Sequence, residues 1–502
     1  MCKMRRYLWL LFCLAPAAAS AHVGSRDIYL QGNAGPYPVY ISVQPPVVIP
    51  GLAIVSVFVN AADDAALQAI TVQPNVLSSD PAQRMPEAQQ LDHNPAAHEY
   101  HGSVWLMTNG SWQLRFQAHG TRGDGVLAVP VPATSTQLKR MNKTLGTVLF
   151  LCCVLLIIGL AGMAAAAVRE SWLDPGLAPN ATQRRRGRVA IAASLLVCAG
   201  MVLTGNHWWR VEIARYSGTI YKPLILNSEL SADGSILHLS IVDPGWIEQR
   251  RLDDLVPDHN HLMHLYVIRQ PAMDVVMHLH PKQIAPGRFD LELPAMPAGN
   301  YSLYADIVHA DGFPETAVAT LALPAKTTPA ASPDPDDSVG VVPSLDNAKM
   351  DAGTYTLADG YRINFQMGSP GQPLHAPAPV AATQPVILQF TLLDAQGQPP
   401  ADMQNYMGML GHAAILKADG TVFAHIHPEG SIAMAAYMMV NHSPDAMAGM
   451  QMSMPGMQMP AEKLPNITAF PYGFPSAGKY RIIIQMKQGG KIETGAFDLT
   501  VQ

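Results

Sequence analysis

One pattern of histidines and apolar residues occurs twice in this chain of 502 residues. A histidine opens an apolar run, and His-x-His-Pro closes the next run, in HLYVIRQPAMDVVMHLHP (264–281) and in HAAILKADGTVFAHIHP (412–428). The similarity continues upstream, between 236–243 and 387–394, and downstream, between 297–301 and 476–480. Short β-branched or aromatic runs bounded by Gly, Asp or Pro predict β-strands. The repeat therefore predicts two copies of one all-β domain.

The repeated histidines have the spacing of metal ligands on paired strands. Residues two apart on a strand point to the same face, so each His-x-His places two imidazoles side by side. Antiparallel pairing with the preceding run brings a third imidazole within reach, and three imidazoles suit copper or zinc. The predicted ligands are His264, His278, His280, His412, His425 and His427. The alternative is that they are paired surface imidazoles at a strand end.

The first copy has further candidate ligands close to His264. Asp258, His259 and His261 precede it, and His309 lies on a later predicted strand. We expect these side chains to add to the first site.

Composition excludes several classes of function. Charged residues make up 14% of the chain and the formal net charge is −6, which argues against a nucleic-acid-binding surface. The cysteines are Cys2, Cys13, Cys152, Cys153 and Cys198, all in segments predicted to be a signal peptide or membrane spans. Disulfides and thiolate metal sites outside the membrane are therefore not expected.

Residues 1–21 have the charged start, apolar run and small-residue cleavage site of a secretory signal peptide. An uncleaved anchor is the alternative. Cleavage after Ala21 leaves His22 at the N-terminus, where the amine and the imidazole together can chelate copper. The other interpretation of His22 is a frayed chain end.

Two apolar runs, 144–168 and 189–205, predict a transmembrane hairpin. The loop between them, 169–188, is rich in arginine. Because the signal peptide exports the first domain, this loop is expected in the cytoplasm and the rest of the chain outside it. A hairpin buried in a soluble core is the alternative.

The predicted organisation is all-β, with three immunoglobulin-like β-sandwiches outside the cytoplasm and a two-helix membrane hairpin. The sandwiches are 22–138, 206–325 (first repeat) and 352–502 (second repeat). The segment 326–351, rich in Pro, Ala and Asp, is predicted to be a linker.

The second repeat contains a methionine-rich insertion, 434–459. Its central methionines are Met447, Met450, Met452, Met454, Met457 and Met459. Ser453, Pro455 and Gly456 interrupt any helical stripe, and neutral, soft thioethers favour Cu(I) or Ag(I). The alternative is that the methionines pack over the sheet as adaptable apolar filler. Met407 and Met409 precede His412 and are predicted to add thioether ligands there.

These features carry a resemblance to known families. The strand around Trp112, followed by GTRGDG (120–125) and 126–131, is similar to the closing hairpin of YtkA-like and FixH-like domains. The exported His22 and the methionine-rich segment resemble CopC-like domains, although the membrane hairpin departs from that pattern. The resemblance implies copper handling in the periplasm, for tolerance or for delivery to a respiratory oxidase.

We therefore expect a copper-binding protein, not an enzyme, anchored by two spans in a bacterial-type inner membrane. Most of the chain would lie in the periplasm, with Cu(II) on the histidines and Cu(I) on the methionines, and a periplasmic copper donor or acceptor as partner. Zinc and silver are alternative metals. A copper-dependent oxidoreductase with His22 as a brace, and a scaffold or sensor that binds no metal, are the rival interpretations.

Overall fold

The computed structural model describes residues 26–77, 86–138, 141–174, 176–247, 250–324, 334–345, 353–442 and 463–502. In these ranges the protein consists mainly of β-sheets, with two long apolar helices after the first sheets. The all-β prediction with a helical hairpin is confirmed at this level.

The N-terminal part packs two antiparallel sheets around one core. Its elements are β1 (Ile28–Ala34), β2 (Tyr37–Gln44), β3 (Gly51–Phe58), α1 (Ala61–Asp64), β4 (Leu67–Val76), β5 (Gln89–Gln90), β6 (Asp92–Asn94), β7 (Glu99–Leu106), β8 (Gly110–Gly120) and β9 (Gly125–Ala133). The sheets have the orders β1-β2-β3-β7-β6 and β5-β4-β8-β9. Ile41 and Val55 from one sheet and Leu114 and Val129 from the other share the core.

Helices α2 (Lys143–Glu170) and α3 (Ala181–Ser217) are both long and apolar enough to cross a membrane. They contain the predicted spans, although α3 continues twelve residues past position 205. The hydroxyl of Tyr216 at its end donates to the carbonyl of Ile49 (3.1 Å), and the amide of Tyr221 donates to Ser135 O (2.7 Å). These bonds fasten the base of the helices to the N-terminal sheets.

The first repeat forms one nine-stranded sheet. Its strands are β10 (Ile225–Leu230), β11 (Ile236–Val242), β12 (His264–Gln270), β13 (Val275–Leu279), β14 (Lys282–Ala285), β15 (Arg288–Glu292), β16 (Gly299–Val308), β17 (Pro314–Leu323) and β18 (Ser338–Val341). The order is β14-β15-β11-β10-β17-β16-β12-β13-β18. Leu239 near one end and Met277 near the other belong to one core, so the sheet curls around it. Strand β18 comes from the segment predicted to be a linker.

The second repeat packs two sheets. Its elements are β19 (Thr354–Thr356), β20 (Arg362–Gly368), β21 (Val386–Leu393), β22 (Met403–Gln404), β23 (His412–Lys417), β24 (Phe423–Ile426), α4 (Met434–Asn441), β25 (Ile467–Tyr472), β26 (Gly478–Gln488) and β27 (Lys491–Val501). The sheets are β19-β20-β21-β25 and β22-β26-β23-β24, with β27 beside β26. Helix α4 lies in the first part of the methionine-rich insertion, and its Asn441 exchanges hydrogen bonds with Ala128 of β9.

The histidine-bearing strands have the same neighbours in both repeats. Strand β12 lies between β13 and β16, and β23 lies between β24 and β26. The outer faces of these sheets pack against each other through a separate apolar cluster. Its members are Tyr266, Ile268, Met273, Val276, Tyr304, Val342, Ala414, Leu416, Phe423, Ile483 and Ala496. The two repeats are therefore joined face to face along their histidine-bearing strands.

Candidate metal centre

The alternation of side chains along β12 and β23 directs the histidines to the contact between the repeats. Leu265 and Val267 of β12 belong to the core of the first repeat, whereas Tyr266 belongs to the cluster between the repeats. His264 has the same parity as Tyr266 and therefore the same face. In β23, Ile415 is in the second core, and His412 shares the face of Ala414. Both faces of each strand are buried.

The two histidine sets, predicted as separate sites, form one cluster in the structure. The ring centroid of His425 lies 5.2 Å from that of His264 and 5.2 Å from that of His278. The rings of His278 and His412 are 6.1 Å apart. Imidazoles from both repeats thus share one buried centre.

Within each repeat, the predicted antiparallel pairing brings two imidazole nitrogens together. His264 Nδ1 lies 3.0 Å from His278 Nε2, and His412 Nδ1 lies 3.2 Å from His425 Nε2. The register explains this, since His278 pairs with Tyr266 and His425 with Ala414, two residues along from the opening histidines. The predicted approach of the opening histidine to the His-x-His pair is confirmed in both copies.

In three of the six predicted histidines, the ring nitrogen that faces away from the centre lies close to a backbone carbonyl oxygen. His264 Nε2 lies 3.0 Å from Asp258 O, and His412 Nε2 lies 3.1 Å from Tyr406 O. His427 Nδ1 lies 3.1 Å from Ile432 O. A carbonyl oxygen only accepts hydrogen bonds, so the nitrogen facing it carries the ring hydrogen.

The other three rings point outward at side-chain oxygens. His280 Nδ1 lies 2.9 Å from a carboxylate oxygen of Asp337, and His425 Nδ1 lies 3.4 Å from one of Asp306. His278 Nδ1 lies 3.3 Å from Gln485 Oε1. The amide of Gln485 donates to Ser338 Oγ, which leaves its oxygen as the acceptor.

The five outward hydrogen bonds, and the Asp306 carboxyl group 3.4 Å from His425 Nδ1, determine what the inner nitrogens offer. A neutral imidazole has one N–H, so each inner nitrogen presents a lone pair. In the pairs His264–His278 and His412–His425, two lone pairs therefore face each other, and a cation between them removes the repulsion. Within the described residues, Nε2 of His280 and of His427 has no hydrogen-bond partner. Metal-bound histidines show this arrangement, with the second nitrogen donating to an oxygen.

Burial keeps these rings in the neutral form that binds metal. Removal from water, together with neighbouring imidazoles, holds the pKa values of His264, His278, His412 and His425 well below the ordinary value. Burial lowers the pKa of His280 to about 3 and that of His427 to about 4. A proton is therefore a poor substitute for a metal ion between the facing lone pairs.

A turn before each opening histidine adds two more residues. His259 and Asn260 have positive φ of 48° and 71°, and Met407 and Gly408 have 49° and 81°. Reciprocal backbone bonds close both turns, between Asp258 and His261 and between Tyr406 and Met409. The predicted thioethers Met407 and Met409 thus occupy in the second repeat the positions of His259 and His261 in the first. Both methionines are buried.

His259 and His261 belong to the centre, as their proximity to His264 predicted. The ring of His259 is 5.0 Å from that of His412 and 4.9 Å from that of His427, both in the other repeat. His261 stacks on His280 with centroids 3.8 Å apart. The centre therefore contains eight histidines.

His309 does not join the centre. Its ring is held between Asp254 (3.0 Å) and Glu315 (3.1 Å). Burial lowers the pKa of His309, but hydrogen bonds to these carboxylates outweigh burial and raise it. Met263 and Met277, which flank the first histidine set in sequence, point into the core of the first repeat. The methionines from Met447 to Met459, and His22, lie outside the described residues.

A cavity of about 610 Å³ reaches the centre from one side. His261, His264, His425 and His427 line its inner end, together with Asp258 and Asp306. Burial raises the pKa of Asp306 to about 7. This cavity is large enough for a small molecule to approach four of the rings.

Comparisons with known proteins give little about function. A family model described as a domain of unknown function, DUF8832, matches residues 371–502, which is most of the second repeat. No curated protein matches the chain.

Solved structures with some similarity are a dimeric latent PorU from Porphyromonas gingivalis (7% identity, TM-score 0.15, 90% of this chain and 32% of that one) and an Escherichia coli alpha-2-macroglobulin activated by porcine elastase (8%, 0.18, 95% and 44%). An ICAM-5 D1–D4 ectodomain fragment shows 9% identity and a TM-score of 0.14, with 93% of this chain and 77% of that one covered. The chain spans less than half the length of the first two.

Proposed function

We propose that this protein is a membrane-anchored copper-binding protein that stores copper or passes it to a partner. One observation carries the proposal: six buried imidazoles each direct one nitrogen outward toward an oxygen atom, five of them in hydrogen bonds, and the other nitrogen toward a common centre. Nitrogen donors bind Cu(II) more tightly than the other first-row divalent ions, with zinc and nickel next. Copper is therefore the metal that this set of ligands favours most.

The proposal includes the position of the protein in the cell. Three immunoglobulin-like β-sandwiches would lie in the periplasm of a bacterial-type inner membrane, held by α2 and α3. The methionines of 447–459 would bind Cu(I), and the histidine centre Cu(II). A periplasmic copper donor or acceptor would be the partner.

The test is a Cu(II) competition titration of the full chain in detergent. The double variant His278→Gln/His425→Gln removes one imidazole from each facing pair and is expected to lose at least about 100-fold in affinity at the tightest sites. The control is His375→Gln, because His375 is exposed and outside the centre. All the proteins compared also carry His22→Ala, so that copper bound at the N-terminus does not contribute to the titration. Unchanged Cu(II) affinity in the folded double variant would refute the proposal.

A copper-dependent oxidoreductase is the second candidate, favoured by the cavity that opens on the centre. A carrier needs no space for a substrate, whereas an oxidase does. Oxygen uptake by the copper-loaded protein with a reductant distinguishes them. Catalytic uptake that stops in His278→Gln/His425→Gln supports the oxidoreductase, and uptake no faster than that of free copper supports the carrier.

A further inference from the structure

We infer that the histidine centre binds two metal ions, one at each facing pair of imidazoles. This inference rests on the proposed function, because it concerns how many ions the centre holds.

Three groups of side chains have the spacing of a ligand set, and two of them consist of histidines alone, with no member in common; the third, His261, His280 and Asp334, shares His280 with one of these. The first is His264, His278 and His280, and the second is His259, His412 and His427. In each group the candidate nitrogens lie within 4.8 Å of one another. The first group belongs entirely to the first repeat, whereas the second combines two strand-end histidines of the second repeat with His259 from the first.

The distances between nitrogens fit one ion for each pair. Two neighbouring nitrogens bound at about 2.0 Å to one ion lie roughly 2.8 Å apart in a tetragonal site and roughly 3.3 Å apart in a tetrahedral one. The observed distances are 3.0 Å for His264–His278 and 3.2 Å for His412–His425. These pairs are equivalent under the repeat, so an ion at one implies an ion at the other.

The number of donors also exceeds what one ion takes. Imidazole sites for zinc or copper usually have four ligands or fewer, whereas eight histidines meet here. A single ion bound at one facing pair of imidazoles would leave the lone pairs of the other pair buried, with no cation between them. His425, which faces His412, also lies 5.2 Å by ring centroid from both His264 and His278, so the two facing pairs adjoin.

Carboxylates are placed to offset two positive ions. Asp337 accepts from His280, and the carboxyl group of Asp258 is buried and accepts from the amide of Ala435 at 2.7 Å. His261 has Asp334 at 3.8 Å. The negative charge is thus distributed around both groups, which lowers the repulsion between two divalent ions.

The test uses the metal-free full chain in detergent, in a His22→Ala background, titrated with Cu(II) and followed by metal analysis and electron paramagnetic resonance. Two ions per chain are expected at the centre. The second equivalent should reduce the integrated signal per copper, because the two unpaired spins couple. His280→Gln should remove one ion and His427→Gln the other, while His375→Gln keeps both. Circular dichroism checks that each variant is folded.

The outcomes separate the inference from the proposed function. One ion per chain, lost in both His280→Gln and His427→Gln, would overturn the two-ion inference but keep the metal-binding function. Two ions without spin coupling in the wild type would also overturn it, because the ions would then lie in separate sites. No ion bound to the histidines would overturn both. The spectrum of the wild type needs no variant, so the test stands even if a substitution prevents folding.

Discussion

Acid is expected to lower the free energy of unfolding of the metal-free protein, and the pKa of one histidine, His427, gives the size of its contribution. Burial lowers the pKa of His427 to about 4 from an ordinary value of 6.5. As the pH falls through 6.5, the unfolded chain takes up a proton at this ring and the folded protein does not. Stability therefore falls between pH 6.5 and pH 4 and is unaffected above pH 6.5. At about 1.4 kcal/mol per pH unit, moving from pH 6.5 to pH 5 costs about 2 kcal/mol for this ring.

Neighbouring groups act in both directions. His264, His278, His412 and His425 also have lowered pKa values, so they add to the loss. Asp306 acts oppositely, because its raised pKa of about 7 means that the folded protein binds its proton before the unfolded chain does, below pH 7. Burial also raises the pKa of Glu429, which acts in the same direction as Asp306. More imidazoles than carboxyl groups are affected, so the net effect of acid is a loss of stability.

The measurement is the free energy of unfolding from urea titrations between pH 5 and 7.5, with a chelator present. The pH slope below pH 6.5 should be smaller in His427→Gln than in the wild type by about 1.4 kcal/mol per pH unit. His375→Gln, at an exposed position, should keep the wild-type slope. Equal slopes in His427→Gln and wild type would show that the ring is not held neutral and would refute the reasoning.

Three further predictions concern the surroundings of the centre. Gln485→Ala removes the closer of two oxygens that can accept from His278 Nδ1, at 3.3 Å against 3.4 Å for the Tyr406 hydroxyl, and should weaken Cu(II) binding about 10-fold. Gln389→Ala, on the exposed side of β21, should not change the titration. Gly430 has φ of +156°, and a Cβ added there would lie 2.0 Å from Tyr29 O. Gly430→Ala should therefore push β1 away and speed hydrogen exchange at the Gln31 amide, which donates to Glu429 O. Exchange as slow as in the wild type would contradict this. Free Cu(II) at 100 times Kd should raise the free energy of unfolding by about 2.7 kcal/mol for each ion bound. The rise is seen as a higher melting temperature in the wild type and is absent from His278→Gln/His425→Gln.

The pairing of the two histidine-bearing strands within each repeat could be predicted from the sequence. Alternation along a strand is a local property, and it correctly placed His264 beside His278 and His412 beside His425. The contact between the repeats was not predicted. One signal was present, since a sheet with one wet face alternates apolar and polar residues, and the run Val275–Leu279 has no such alternation. A strand buried on both faces needs a second partner, and here that partner is the other repeat.

The groups that orient the imidazoles were beyond sequence reasoning. Gln485 lies 207 residues from His278, and Asp337 lies 57 residues from His280. No local pattern connects such positions, because the packing of whole sheets brings them together. Asp337 also lies in a Pro- and Asp-rich segment whose composition indicates a linker, yet β18 in that segment pairs with β13. Pairing with β13, which otherwise ends the sheet, outweighed composition there.

Anomalous diffraction from a crystal of the copper-loaded protein, at the copper absorption edge, tests the central claim most directly. We expect anomalous peaks between the two repeats, at about 2.0 Å from inner imidazole nitrogens such as His264 Nδ1 and His412 Nδ1. Copper found only elsewhere in the chain, with both facing pairs of imidazoles unoccupied, would contradict the account.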